Sequence, residues 1–76
     1  SMSTQVKGTI EYKDFGTGAW ALVGSDGTTY ELHKAPNNLQ QEGLQVSVEG
    51  QIRDDVMTMA MIGPVLEVKN FKVIEG

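Results

Sequence analysis

The 76-residue sequence contains no cysteine, one histidine, one tryptophan and two prolines. Without cysteine there can be no disulfide and no thiolate metal centre. A nucleophilic site with a histidine base would have to be built on His33 alone, and no serine or threonine lies in a nucleophile motif. Gly16-Thr17-Gly18 lacks the further glycine, the lysine and the helix that a phosphate-binding loop requires. The neighbours Asp54 and Asp55 sit in a charged turn, where adjacent side chains point apart and stay solvated rather than sharing a proton. The sequence is therefore expected to be non-catalytic and to need no cofactor. No long hydrophobic run is present, and no basic segment leads into an apolar stretch, so neither a membrane span nor a secretory signal is expected. Ser1 ahead of Met2 reads as a tag remnant before the natural start, which places the protein in the cytoplasm.

Basic charge is also scarce. Six Lys and Arg stand against ten Asp and Glu, giving a formal charge of −4, and the two signs are interspersed. Nucleic-acid affinity depends on Lys and Arg neutralising phosphates, and the longest basic cluster is a pair such as Lys69 and Lys72. A nucleic-acid partner is disfavoured on this ground.

What the chain does have is nine glycines and 39% hydrophobic residues, a mixture suited to short elements joined by tight turns. Apolar or small residues alternate with polar ones from Gln5 to Lys13, marking a half-buried strand with Gly8 on its inward side. A glycine there allows a sharp bend or a close backbone approach. A second strand is expected over Ala19–Gly24 and a third over Thr28–His33, joined by a hairpin at Asp26-Gly27. Pro36 and Gly43 bracket a short helix anchored by Leu39. Leu44–Ile52 alternates again, Val56–Ile62 reads as a further extended segment, and Val65–Glu75 changes parity, which implies a β-bulge near Lys69-Asn70.

These elements imply one all-β domain over residues 5–75, an antiparallel barrel of five to six strands, after an unstructured start at residues 1–4. The arrangement resembles the OB-fold across nearly the whole chain. The resemblance rests on the long glycine-containing first strand, the Asp26-Gly27 hairpin, the helix between strands three and four, and Val46-x-Val48-x-Gly50. More narrowly, Gly18-Ala19-Trp20-Ala21-Leu22, Asp26 to Leu32 and Gly43 to Gly50 look like the small stand-alone bacterial OB-fold proteins of undefined function. That resemblance implies a bacterial binding module.

Candidate binding residues fall in three places. By alternation Ala19, Ala21 and Val23 face away from the barrel interior and form an apolar patch, with Phe15 in the preceding loop and His33 at the end of the third strand. Histidine is the side chain whose charge changes near neutrality, so His33 is a candidate switch, although no partner is marked for it. Met57, Met59 and Met61 share one face of an extended segment. As flexible thioethers they suit core filling or a contact with another subunit. As soft donors they also suit Cu(I) or Ag(I). A Met-x-Met strand near His and Trp is similar to the metal site of a periplasmic copper and silver chaperone, itself a small OB-fold protein, but there the motif lies in the central hairpin. Packing is the favoured role, with a protein partner or a homo-oligomer covering a segment that is apolar on both sides. Single-stranded nucleic acid or a small ligand on the barrel face is the alternative.

Overall fold

The computed structural model describes residues 3–14 and 16–74. Five strands form one sheet: β1 (Thr4–Lys13), β2 (Ala19–Gly24), β3 (Thr29–His33), β4 (Gln45–Arg53) and β5 (Val65–Val73). They close into a ring in the order β1-β2-β3-β5-β4. Strand β1 begins at Thr4, opposite Gly50, so Thr4 is not part of an unstructured start; residues 1 and 2 lie outside the described part.

Closure depends on β1 serving two neighbours. Its first half, Thr4 to Thr9, pairs with β4, and its second half, Gly8 to Lys13, pairs with β2. Gly8 belongs to both ladders, where the strand passes from one neighbour to the other. A Cβ at this position would stand 2.8 Å from the Val23 carbonyl carbon and 2.9 Å from Gly24 Cα, with the Val23 oxygen closer still. Only a residue without a side chain lets the two backbones approach this closely.

The ring is not antiparallel throughout. Strands β3 and β5 run parallel, with Glu31, Leu32 and His33 opposite Val65, Leu66 and Glu67. The physical reason is parity: strand directions cannot alternate all the way round a closed ring with an odd number of strands, so one junction must be parallel. Where β4 meets β5 the register shifts. Glu49 faces Asn70 and Gly50 faces Val68, which leaves Lys69 as the extra residue of a bulge, in the place that the change of parity had indicated. Gly50 lies across from this bulge, where an added Cβ would come within 3.1 Å of the Glu67 carbonyl carbon.

The core is the filled lumen. Val6, Ile10, Leu22, Leu32, Leu39, Val46, Val48 and Leu66 form one buried cluster, and Trp20, Tyr30, Ala35, Leu44, Val68 and Phe71 pack around it. The helix expected between Pro36 and Gly43 is only a 3-10 turn, Asn37–Leu39. Leu39 donates its N–H to Pro36 O at 3.0 Å and Gln40 to Asn37 O at 3.1 Å. The turn stops because β1 claims the following backbone: Gly43 donates to Ile10 O at 2.7 Å, and Ile10 donates to Leu44 O at 2.8 Å. Gly43 makes this exit at a φ of 85°, and Leu39 remains fully buried as the anchor of the turn.

The Asp26-Gly27 hairpin forms with only Gly27 at positive φ (91°). Asp26 Oδ1 accepts the Thr28 N–H at 3.0 Å, and Asp26 Oδ2 accepts the Tyr30 hydroxyl at 2.9 Å. These two donors hold the Asp26 carboxyl below its ordinary value, the Thr28 N–H contributing most. The same bond to Asp26 raises Tyr30.

A sixth strand does not form. Residues 56–62 belong to the connection between β4 and β5 and join no ladder, because the closed ring leaves no edge to which they could add.

Candidate contact site

The outer face of the barrel carries a row of residues in register, Glu11, Ala21, Glu31, Val65 and Arg53, one from each strand. The β4–β5 connection, residues 54–64, runs across this row. The Thr58 hydroxyl donates to the Glu31 carboxylate and accepts the Ala60 N–H at 3.2 Å. Glu31 donates its N–H to Pro64 O at 2.8 Å. Gly63 lies against the Thr29 carbonyl, with its Cβ position 3.5 Å from that carbon, and Met59 O comes within 3.6 Å of the Cβ position of Gly16. The connection is thus fastened to β3 by hydrogen bonds at Glu31 and a close approach at Thr29, and reaches the loop before β2.

Burial along this connection alternates as it would in a strand, although no ladder exists. Val56, Thr58 and Ile62 are half-buried and Ala60 is buried, while Met57, Met59 and Met61 are 98%, 80% and 82% exposed. All three methionine side chains stand in solvent, so they are not core filler within the chain. Met61 has a φ of 53°, in the left-handed region that a non-glycine residue seldom adopts.

The apolar patch expected on β2 is largely used up by the same connection. Ala21 is 0% exposed despite its outward parity, and neither it, Ala60 nor Val65 belongs to the lumen cluster. Ala21 and Val65 belong to the row that residues 54–64 cross, and Ala60 is the buried residue of that crossing. Ala19 and Val23 are half-buried. Ala21 is therefore unavailable as a contact residue, because the chain covers it with its own segment. Phe15 lies outside the described residues. His33 is half-buried, on the outer face opposite Glu67 in the parallel ladder.

Beside His33 lies a group of ion pairs that sequence spacing did not reveal. Arg53 donates from Nε and Nη2 to the two oxygens of Asp55, at 2.8 and 2.9 Å, and from Nη1 to Glu67 Oε1 at 2.5 Å. Lys69 Nζ stands 3.5 Å from Glu67 Oε2. The fork from Arg53 holds Asp55 down at about 2, and the hydrogen bond from Arg53 likewise lowers Glu67. Arg53 is raised in return, most by Asp55 and then by Glu67. These bonds fix the point at which the chain leaves β4 for the methionine segment. The pairing of 53 with 55 could have been guessed from the Arg-x-Asp spacing, but that of 53 with 67 depends on the register of β4 against β5.

Two aromatics lie near one another, Trp20 packed against the core and Tyr12 40% exposed. Tyr12 and Trp20 are cross-strand partners with ring centroids 5.1 Å apart in an edge-to-face arrangement. Tyr12 packs over Gly18, where an added Cβ would come within 2.8 Å of its ring carbon Cζ.

Among the described residues no group of three or more His, Cys, Asp or Glu is arranged to hold a metal ion, and no helix is long and apolar enough to cross a membrane. Comparison with protein-family models, with curated proteins and with solved structures found no match.

Proposed function

We propose that the chain is an OB-fold barrel acting as a non-catalytic interaction module, and that its methionine face docks on the same face of a second copy. The fold assignment is supported by the ring order β1-β2-β3-β5-β4, by the parallel β3–β5 junction, and by the lone turn between β3 and β4. The docking role is carried by one observation: three large apolar side chains stand 80% or more exposed on a segment that the chain fastens from beneath. Thioethers on flexible stems repack readily against one another, so the face is complementary to itself, as a two-fold interface requires. The other face offered by an OB barrel, the outer surface of β2 and β3, is crossed by residues 54–64 and carries Glu31, with Glu11 and Glu67 on the strands to either side, which does not suit nucleic acid.

Full burial of three methionines from each copy, six in all, contributes about 9–18 kcal/mol before the costs of association, which are of similar size and offset much of it, so the dimer is weak, of order 100 μM. Sedimentation equilibrium on the intact chain and on a Met57→Gln/Met59→Gln/Met61→Gln variant tests this. Self-association of the first and a monomeric second are expected. A monomer for the unaltered chain at about 1 mM, ten times the expected constant, would remove the docking role.

The same exposure favours a second reading, in which the three thioethers converge on a soft cation such as Cu(I). Anaerobic titration against a competing Cu(I) chelator should then show one ion bound and weaker binding for Met59→Leu. Equal binding by the triple glutamine variant would dismiss it.

A further inference from the structure

Two irregularities of the backbone each deliver a lysine to the same place. Lys34, directly after β3, has a φ of 60°, one of only two non-glycine residues with positive φ among the described residues. Lys69 is the extra residue of the bulge in β5. Both line a depression of about 380 Å³ with Asn38, Asn70, Val68 and Phe71. A left-handed lysine carries a strain that no side-chain packing explains here, since Lys34 is exposed and forms no ion pair among the described residues. A bulge, for its part, re-aims the residue that it inserts. Lys69 is only loosely neutralised, 3.5 Å from Glu67, whose other oxygen is taken by Arg53 at 2.5 Å.

The lining has an order that suits one class of ligand. Two ammonium groups and two side-chain amides supply donors, no carboxylate lines the depression, and half-buried Phe71 and Val68 supply an apolar wall. This is unusual on a chain of net charge −4, where a depression would more often be lined by acids. The volume lies at the small end of the range for ligand sites.

We propose that this depression is a binding site for a small anion bearing a flat ring, with a phosphate or carboxylate between Lys34 and Lys69 and the ring against Phe71. The site is separate from the methionine face and does not depend on it. Lysine ammonium groups recognise such an anion as point charges, and an aromatic wall accepts any planar ring, so mononucleotides and aromatic carboxylates share the required chemistry.

The test is a titration of the ¹⁵N-labelled chain followed by amide shifts, with adenosine monophosphate and benzoate as complete probes and adenosine and inorganic phosphate as the separate halves. Saturable shifts at Lys34, Asn38 and residues 69–71 are expected for at least one complete probe, tighter than for either half. Lys34→Gly keeps the left-handed backbone and removes only the charged arm, and Lys69→Gln retains the bulge without charge. Each should weaken the preferred probe by about tenfold, while Lys7→Gln, on β1, should not. The proposal is overturned if no complete probe gives saturable shifts at these residues up to about 10 mM, or if both lysine variants bind as the parent does.

Discussion

Replacing Gly8 by alanine adds one methyl group at the point where β1 passes from β4 to β2. That methyl would meet the Val23 oxygen, the Val23 carbonyl carbon at 2.8 Å and Gly24 Cα at 2.9 Å, all of them backbone atoms. A side chain in the way could swing aside, but a backbone can give only if β1 separates from β2, and β2 is held to β1 from Gly8 to Lys13. Overpacking commonly costs 1–3 kcal/mol, and a contact that no rotamer relieves belongs at or above the top of that range, so the expected loss is about 3 kcal/mol. For a domain of this size each kcal/mol moves the midpoint by about 4–8 °C, which amounts to about 12–24 °C. The reference substitution is Gly27→Ala. Nothing lies within 4 Å of its Cβ, and the cost there is only that of holding alanine at a φ of 91°. That cost is about 1–2 kcal/mol. Urea and thermal unfolding, followed by far-ultraviolet circular dichroism and by Trp20 fluorescence, give both values. Gly8→Ala equal to or more stable than Gly27→Ala would refute the reasoning that ring closure is set by backbone approach at Gly8.

Leu39→Ala removes a fully buried side chain from a turn of three residues, and a loss of about 3 kcal/mol is expected in urea unfolding, as for other core leucines; a loss below about 1 kcal/mol would mean that the turn does not plug the lumen. Asp55 and Glu67 both have lowered values in the folded state, so their contribution is complete above the unfolded values of 3.8 and 4.5 and is lost as pH falls below them, for Asp55 toward about 2. The stability advantage of the parent chain over Arg53→Gln should therefore shrink between pH 5 and pH 2.5, by a modest amount because solvent reaches both partners of the Arg53–Asp55 pair, and a gap that stays constant or widens would exclude the role given to Arg53.

Much of the fold could be read from local pattern. Alternation placed β1 and β4 nearly to the residue, Gly8 announced a sharp bend or a close approach, and the change of parity after Val68 located the bulge near Lys69-Asn70. Each of these is written in consecutive residues. The parallel junction is not, since it follows from closing an odd ring, a property of the whole sheet. Residues 56–62 show the limit of the period-two signal. Alternation reports which side chains are buried, and the segment alternates because it lies flat on β2 and β3, without any ladder of its own.

The contact site was legible only in part, for a related reason. Met57, Met59 and Met61 could be grouped by spacing, but Val56, Ala60 and Ile62 opposite them are apolar as well, so hydrophobicity alone could not say which side would face water. The decision rests on Thr58 reaching Glu31 and on the small Ala60 fitting close to the sheet. Ala21 was misread as a free surface because the strand pattern cannot show that a distant segment returns to cover it. Likewise, Lys34 carries no local mark of its left-handed backbone, and the tie from Arg53 to Glu67 spans fourteen residues of sequence.

The central claim is that the methionine face is a contact surface for another copy of the chain. Methionine-methyl NMR of the intact protein, diluted from about 1 mM to about 10 μM across the expected dissociation constant, observes that face directly. Met57, Met59 and Met61 should shift together along one binding curve, with the methyl groups of the buried core unchanged. Methionine signals that stay fixed over the whole range would contradict it.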